Sequence, residues 1–326
     1  MSNQKISPIF ILSLPRAGST LLQRILSVHP AVSTEAEPWF LLPFFYALEE
    51  EGTFADYSHL GAQRAIQEFI EKLPNGITDY YQAINQASIS LYEKAAGSNA
   101  RYFLDKTPRY TLVSKHILRA YPDAKIIFLW RNPLSVLASI NETWGRGHWL
   151  PYSYKVDLYA GFDRLFQAYQ EAGQRSISVN YEKLVTDPEN EIRRICIYLD
   201  IPYTESMIRN FSGKTFNGHF GDPTGVKKYK AVSSSSLDSW KNVLNTRFRI
   251  RWAKRYLVWI GNERMDQTGY SLQDSLDDLN SVKAGGIGIS DILWSFYGNA
   301  TCYFESSVIK QKMKHITNWP SVYKHS

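Results

Sequence analysis

The sequence predicts an α/β fold: a central parallel sheet with helices on both faces, a helical insertion and a C-terminal extension. Two features carry the prediction. Short apolar runs of strand length alternate with segments of helical period, and the turns between them are rich in Gly, Pro and hydroxyl residues. The runs place about five strands near 9–13, 32–34, 102–104, 125–130 and 176–180, which close most simply through right-handed parallel crossovers.

The first unit, Pro8–Pro30, reads PIFILSLPRAGSTLLQRILSVHP. Ile9–Leu12 is a buried-strand run, a tight loop follows through Pro15, Arg16, Ala17 and Gly18, and Ser19-Thr20 opens a helix with Leu21, Leu22, Ile25 and Val28 at helical spacing. Loop N–H groups and the positive helix end then converge on one point that favours an anion. Aligned on Gly18 and Thr20, the loop is P-loop-like but departs from the nucleoside-triphosphate pattern G-x-x-x-x-G-K-[ST]. Ser13 stands for the first Gly and Ser19 for the Lys.

The second strand leads to Glu35-Ala36-Glu37-Pro38-Trp39, two carboxylates at a strand's C-terminal end, where open α/β sheets take ligands. An extended segment puts both on one side, so either Glu35 or Glu37 is placed to serve as a base. The insertion follows, with a helix at 62–73 whose apolar face runs through Ala65, Ile66, Phe69, Ile70 and Leu73, and a second at 83–95. The third strand ends in Asp105-Lys106-Thr107-Pro108, which aims Lys106 at the same crevice. The fourth, KIIFLW, runs into Arg131-Asn132-Pro133, where Pro starts a helix that carries Ser139 about two turns on. Arg131 suits a terminal phosphate because its guanidinium donates in a fixed fork and stays charged. The fifth strand leads to Tyr181, and the helix after it packs through Ile192, Ile195, Cys196 and Leu199, which makes Cys196 a buried small hydrophobe.

Composition bounds the chemistry. The 326 residues suffice for one large domain plus an extension. Net charge is +6 with a pI near 9.0, which suits an anionic ligand, nucleic acid or an anionic membrane surface. Two cysteines, Cys196 and Cys302, make no disulfide framework, and no Cys/His spacing suggests zinc. No stretch reaches the ~20 apolar residues of a membrane span. These features predict a soluble cytoplasmic protein without a metal.

Three motifs together, PRAGSTLL at 15–22, DKTP at 105–108 and Arg131 followed by Ser139, resemble the sulfotransferases that use 3′-phosphoadenosine-5′-phosphosulfate (PAPS). The likeness covers roughly the first 270 residues, leaving 271–326 as a C-terminal extension of unassigned role. It implies that Pro15, Arg16, Ala17, Gly18, Ser19 and Thr20 hold the 5′-phosphosulfate, that Arg131 and Ser139 hold the 3′-phosphate, and that Tyr181 approaches the adenine. It also implies catalytic roles for Glu37 as base, with Glu35 its competitor, and for Lys106 and Arg16 on the developing charge. The polar stretch 211–241 is similar to the nucleotide-covering loop of carbohydrate-type members, with Lys230 the best match. The R-K-G element of the cytosolic small-molecule enzymes is absent. The resemblance thus implies a hydroxyl acceptor on a carbohydrate or glycolipid, a lipid or natural-product hydroxyl coming second, with membrane-surface contact and homo-oligomerisation left open and nucleic acid not expected. Two alternatives stand beside it: a P-loop kinase or NTPase, and a non-catalytic basic protein that binds nucleic acid or membrane surfaces.

Overall fold

The computed structural model describes residues 6–50, 57–214, 216, 232–235 and 237–304. Its centre is a wholly parallel sheet of β1 (Ser7–Ser13), β2 (Val32–Thr34), β3 (Tyr102–Asp105), β4 (Lys125–Trp130) and β5 (Ser176–Asn180), in the order β2-β3-β1-β4-β5. All five expected strands are present. Successive residues of the central strands enter opposite cores: Phe10, Leu12, Phe128 and Trp130 pack on one face, and Ile9, Ile11, Ile127 and Leu129 on the other. Burial on both faces explains why KIIFLW is nearly continuous in apolar residues rather than alternating.

The strand order creates one crevice. From β1 the chain crosses through α1 (Ser19–Leu26) to β2 on one side, whereas from β4 it crosses through α6 (Pro133–Thr143) and α7 (Phe162–Ala172) to β5 on the other. The exits diverge at the carboxyl ends of β1 and β4, the topological switch point where such sheets bind ligands. Ser13 pairs with Leu129 there, which sets the Leu14–Gly18 loop beside Trp130 and Arg131.

The insertion consists of α2 (Leu41–Tyr46), α3 (His59–Ile70) and α4 (Ile77–Ala95). One expectation fails here. α3 starts three residues earlier than predicted, where the Ser58 Oγ accepts from Gly61 N, and it ends at Ile70. Its buried line is Gln63 and Ile70, while Ala65 is exposed and Phe69 is 62% exposed. The reason is that a short helix lying on α4 covers a narrower stripe than its apolar content suggests.

β3 continues into a 3-10 turn (Pro108–Val113) and α5 (Ser114–Ala120), and β5 into α8 (Tyr181–Thr186) and α9 (Pro188–Leu199). On α9, Cys196 is buried as expected, and burial pushes its thiol up to about 11. The Arg247–Ile260 helix buries Trp252, Tyr256, Leu257 and Ile260 while Arg251 and Arg255 stay in solvent, so its cations flank a packing face. In the extension, the Ile289–Phe304 helix is docked on the body: Asp291 is buried against Arg249 (Nη2–Oδ1 2.7 Å), and Trp294 stacks on His148 at 4.0 Å. Among the described residues no helix is long and apolar enough to cross a membrane.

Candidate active site

The loop after β1 is held in an unusual conformation. Gly18, the residue before α1, has φ 98°, and Arg16 has φ 67°, the left-handed region that costs a non-glycine residue about 1–2 kcal/mol. Two long-range bonds hold Arg16 there: its carbonyl accepts from Arg131 Nη1 at 2.9 Å, and its Nε donates to Ser139 Oγ at 3.2 Å. Among the described residues no side chain caps α1, which leaves its first-turn N–H groups, at Ser19 and Thr20, to an anion. The loop after β1 and the Arg131–Ser139 pair, 115 to 123 residues apart in sequence, are thus one cluster.

Tyr181 lies beneath that cluster. It is fully buried, with the Arg131 guanidinium carbon 4.4 Å from its ring centroid, and a Cβ on Gly18 would stand 2.3 Å from its Cδ2. Gly18 therefore serves both its own φ and the approach of this ring. Gly18→Ala is expected to destabilise the fold by about 2–5 kcal/mol, the sum of left-handed strain and overpacking. Urea unfolding measures it, and a loss below about 1 kcal/mol would contradict the tight packing.

The second half of the site comes from the pairing of β2 with β3. Thr34 sits opposite Leu104, so the segments leaving the two strands run side by side and bring Glu37 to Lys106. Lys106 Nζ lies 2.6 Å from Glu37 Oε1 and 3.4 Å from Thr20 Oγ1, and its side chain is 2% exposed. Trp39, at φ 61°, turns back so that its Nε1 donates to Glu37 Oε2 at 3.1 Å. Glu35 is exposed, and only its carbonyl is used, accepting from Gln23 Nε2 at 2.8 Å. Of the two carboxylates left open by the sequence, Glu37 is the one brought to Lys106.

Two groups to which the motifs assign no role support the site. Asp105, fully buried under Lys106, accepts from Tyr92 Oη at 2.6 Å, Tyr110 Oη at 3.1 Å and Thr107 Oγ1 at 3.3 Å. Burial pushes its carboxyl up to about 6, against the opposing pull of those hydroxyls and of Lys106. Glu182 accepts from Asn132 N at 3.0 Å and Tyr270 Oη at 2.5 Å, fixing the turn that carries Arg131. The signal for Asp105 was a carboxylate ending an otherwise apolar strand, and for Glu182 its place at the start of the helix after β5.

The Asp105 carboxyl has a consequence for pH dependence. Its native value lies above the unfolded 3.8, so the native state holds the proton more tightly, and its contribution to stability falls as pH rises from about 4 through about 6. Asp105→Asn has no proton to lose. Relative to that variant, wild type should gain roughly 3 kcal/mol at most between pH 7 and pH 4. Urea unfolding of both proteins at stepped pH measures the difference, and parallel curves would remove this account.

The cluster brings Arg16, Lys106 and Arg131 together with the first-turn N–H groups of α1 and the Ser139 hydroxyl, with Glu37 set against Lys106. Among the described residues Arg131 Nε is buried without a hydrogen-bond acceptor, an orphaned donor of the kind an anionic oxygen satisfies. These groups fit a ligand with two separated anionic ends. Lys230 lies outside the described residues, whereas Trp240, near the end of the same 211–241 stretch, is buried.

A parallel α/β sheet with cations and free helix N–H groups gathered at its switch point suits an anionic ligand, and comparison with known proteins gives the family. The profile described as "Sulfotransferase family" matches residues 8–205. Similar proteins include the "Nodulation protein NoeE" of Sinorhizobium fredii, 29% identical over 313 residues, covering 84% of this chain and 70% of that protein. The "Protein-tyrosine sulfotransferase" of Drosophila melanogaster is 25% identical over 254 residues, covering 72% of this chain and 44% of that protein. Among solved structures, the "Sulfotransferase Domain from the Curacin Biosynthetic Pathway" is 25% identical with a TM-score of 0.49, covering 73% of this chain and 91% of that one. The chain belongs to the sulfotransferase family. It is a transferase, and PAPS is the sulfuryl donor that this family uses.

Proposed function

We propose that this protein transfers the sulfuryl group of PAPS to a hydroxyl of a carbohydrate or glycolipid, with Glu37 as the base. The observation that carries the reading is the junction of Glu37, Lys106 and Thr20 at the mouth of the phosphate loop. An acceptor hydroxyl must lose its proton as its oxygen attacks sulfur, and Glu37 is the carboxylate set beside the loop that would hold the leaving phosphate. PAPS when bound supplies the electrophilic sulfur, and the chain supplies position and charge. Lys106 exchanges its contact with Glu37 for the oxygens of the donor, which frees the carboxylate for the acceptor proton. Arg16 and the first-turn N–H groups of α1 stabilise the charge that builds on the 5′-phosphate. Arg131 and Ser139 bind the 3′-phosphate, and because Arg16 bonds to Ser139, occupation of one anion site orders the other.

Calorimetry with 3′-phosphoadenosine 5′-phosphate (PAP) and with ATP·Mg tests the donor, and labelled transfer from PAPS to a panel of glycans tests the acceptor. Tight PAP binding with transfer to glycans is the expected result. Preference for ATP·Mg would favour the kinase alternative.

A further inference from the structure

We infer that Trp144, Tyr154 and Tyr46, together with the Arg109–Asp157 pair, form the subsite that seats an uncharged sugar of the acceptor; this rests on the sulfotransferase reading above. Two segments lead from the reacting pair to this strip. Arg109 follows Lys106 by three residues, so their Cα atoms are within about 10 Å. Tyr46 closes α2, which begins just after Glu37 and Trp39. Both segments converge on Asp157, which lies in a π-helical turn (Val156–Gly161), a rare element that recurs at functional sites. The turn packs against the phosphate loop: a Cβ on Gly161 would lie 3.6 Å from Leu14 Cδ2 and 3.2 Å from Thr111 Oγ1.

The groups on the strip are suited to a polyhydroxylated ring. Asp157 is buried, and Arg109, with 37% of its side chain exposed, donates from Nη2 to Asp157 Oδ2 at 3.0 Å. The pair thus leaves guanidinium donors facing water, fixed by a buried anchor. Trp144 is 39% exposed and lies against Tyr154 with ring centroids 5.2 Å apart, an apolar platform beside the polar pair. Aromatic faces with a few fixed polar groups are the usual composition of a small-ligand site. The charges of Asp157 and Arg109 reach the Tyr46 hydroxyl, as do those of Glu49 and Arg164, which pair at 3.4 Å. Around Tyr46 each arginine is thus matched by a carboxylate. This pairing offers hydroxyl groups many partners and gives an anionic acceptor no net attraction.

The test compares uncharged p-nitrophenyl glycosides and oligosaccharides with an acidic tyrosine peptide as acceptors, using labelled PAPS. Wild type should sulfate the glycosides. Trp144→Ala and Arg109→Lys should each raise the glycoside KM by about tenfold or more, with kcat within about threefold and PAP affinity unchanged, the pattern of lost ground-state binding. Trp144→Phe should recover most of the loss. Arg109→Lys keeps a cation beside Asp157, and circular dichroism checks that each variant folds. Saturation-transfer NMR of the glycosides with the PAP-bound protein gives a readout independent of turnover. Unchanged KM in both variants, transfer to the peptide alone, or no glycoside contact by NMR while PAP binds would each overturn the subsite and leave the donor reading standing. Failure of wild type to bind PAP would instead overturn the donor reading on which the subsite rests.

Discussion

Glu37→Gln should lower kcat by about 10²–10⁴-fold and leave PAP affinity within about twofold. The expectation follows from what the substitution keeps. A glutamine fills the same volume, and its amide oxygen can accept from Lys106 Nζ or from Trp39 Nε1, the two donors that hold the carboxylate now. What it loses is the capacity to take a proton at the moment of attack. The loss should therefore fall on turnover, with acceptor and donor KM little changed. Glu35→Gln is the internal control: that side chain is exposed, and its activity should stay within about twofold of wild type. Single-turnover kinetics with preformed PAPS complex separate the chemical step from product release. Equal single-turnover rates for wild type and Glu37→Gln would remove Glu37 from the role of base.

How far the sequence could foresee this site depends on how local each determinant is. The strands were readable because a parallel sheet covered on both faces requires near-continuous apolar runs, as in KIIFLW. That the loop after β1, Lys106, Arg131 and Ser139 lie together at the crevice was readable because each sits at a fixed offset from a strand end. The choice between Glu35 and Glu37 was not local. It depends on the register of Thr34 against Leu104 and on the left-handed turn at Trp39, both set by contacts across the fold. The supporting role of Asp105 was hidden for a related reason: its partners Tyr92 and Tyr110 come from the insertion helix and from the turn beyond the strand, and no spacing rule joins them. For Tyr181, expected at the adenine, the contacts of its ring with Gly18 and Arg131 were likewise set by parts of the chain far from it in sequence.

Arg131→Ala should weaken PAP binding by about 10²–10⁴-fold, because charge-assisted hydrogen bonds are worth about 1.5–3 kcal/mol each and the fork offers two. The side chain also spans the cluster, donating to the Arg16 carbonyl and lying over Tyr181, so its loss frees the phosphate loop as well as the 3′ end. A comparison of two nucleotides separates these effects. Adenosine 5′-phosphate lacks the 3′-phosphate, so wild type should prefer PAP strongly, and the part of the loss due to the loop should affect both nucleotides alike. Only the direct contact should erase the preference, which makes the nucleotide and the side chain the two arms of a double-mutant cycle. The backbone of the turn should survive the substitution, because Glu182 holds Asn132 N and the Asn132 side chain caps α6 by accepting from Leu134 N at 2.9 Å. Arg131→Lys keeps the charge but not the fork, and should recover only part of the preference. If Arg131→Ala retains the full preference for PAP over adenosine 5′-phosphate by calorimetry, the 3′-phosphate does not bind at this end of the crevice.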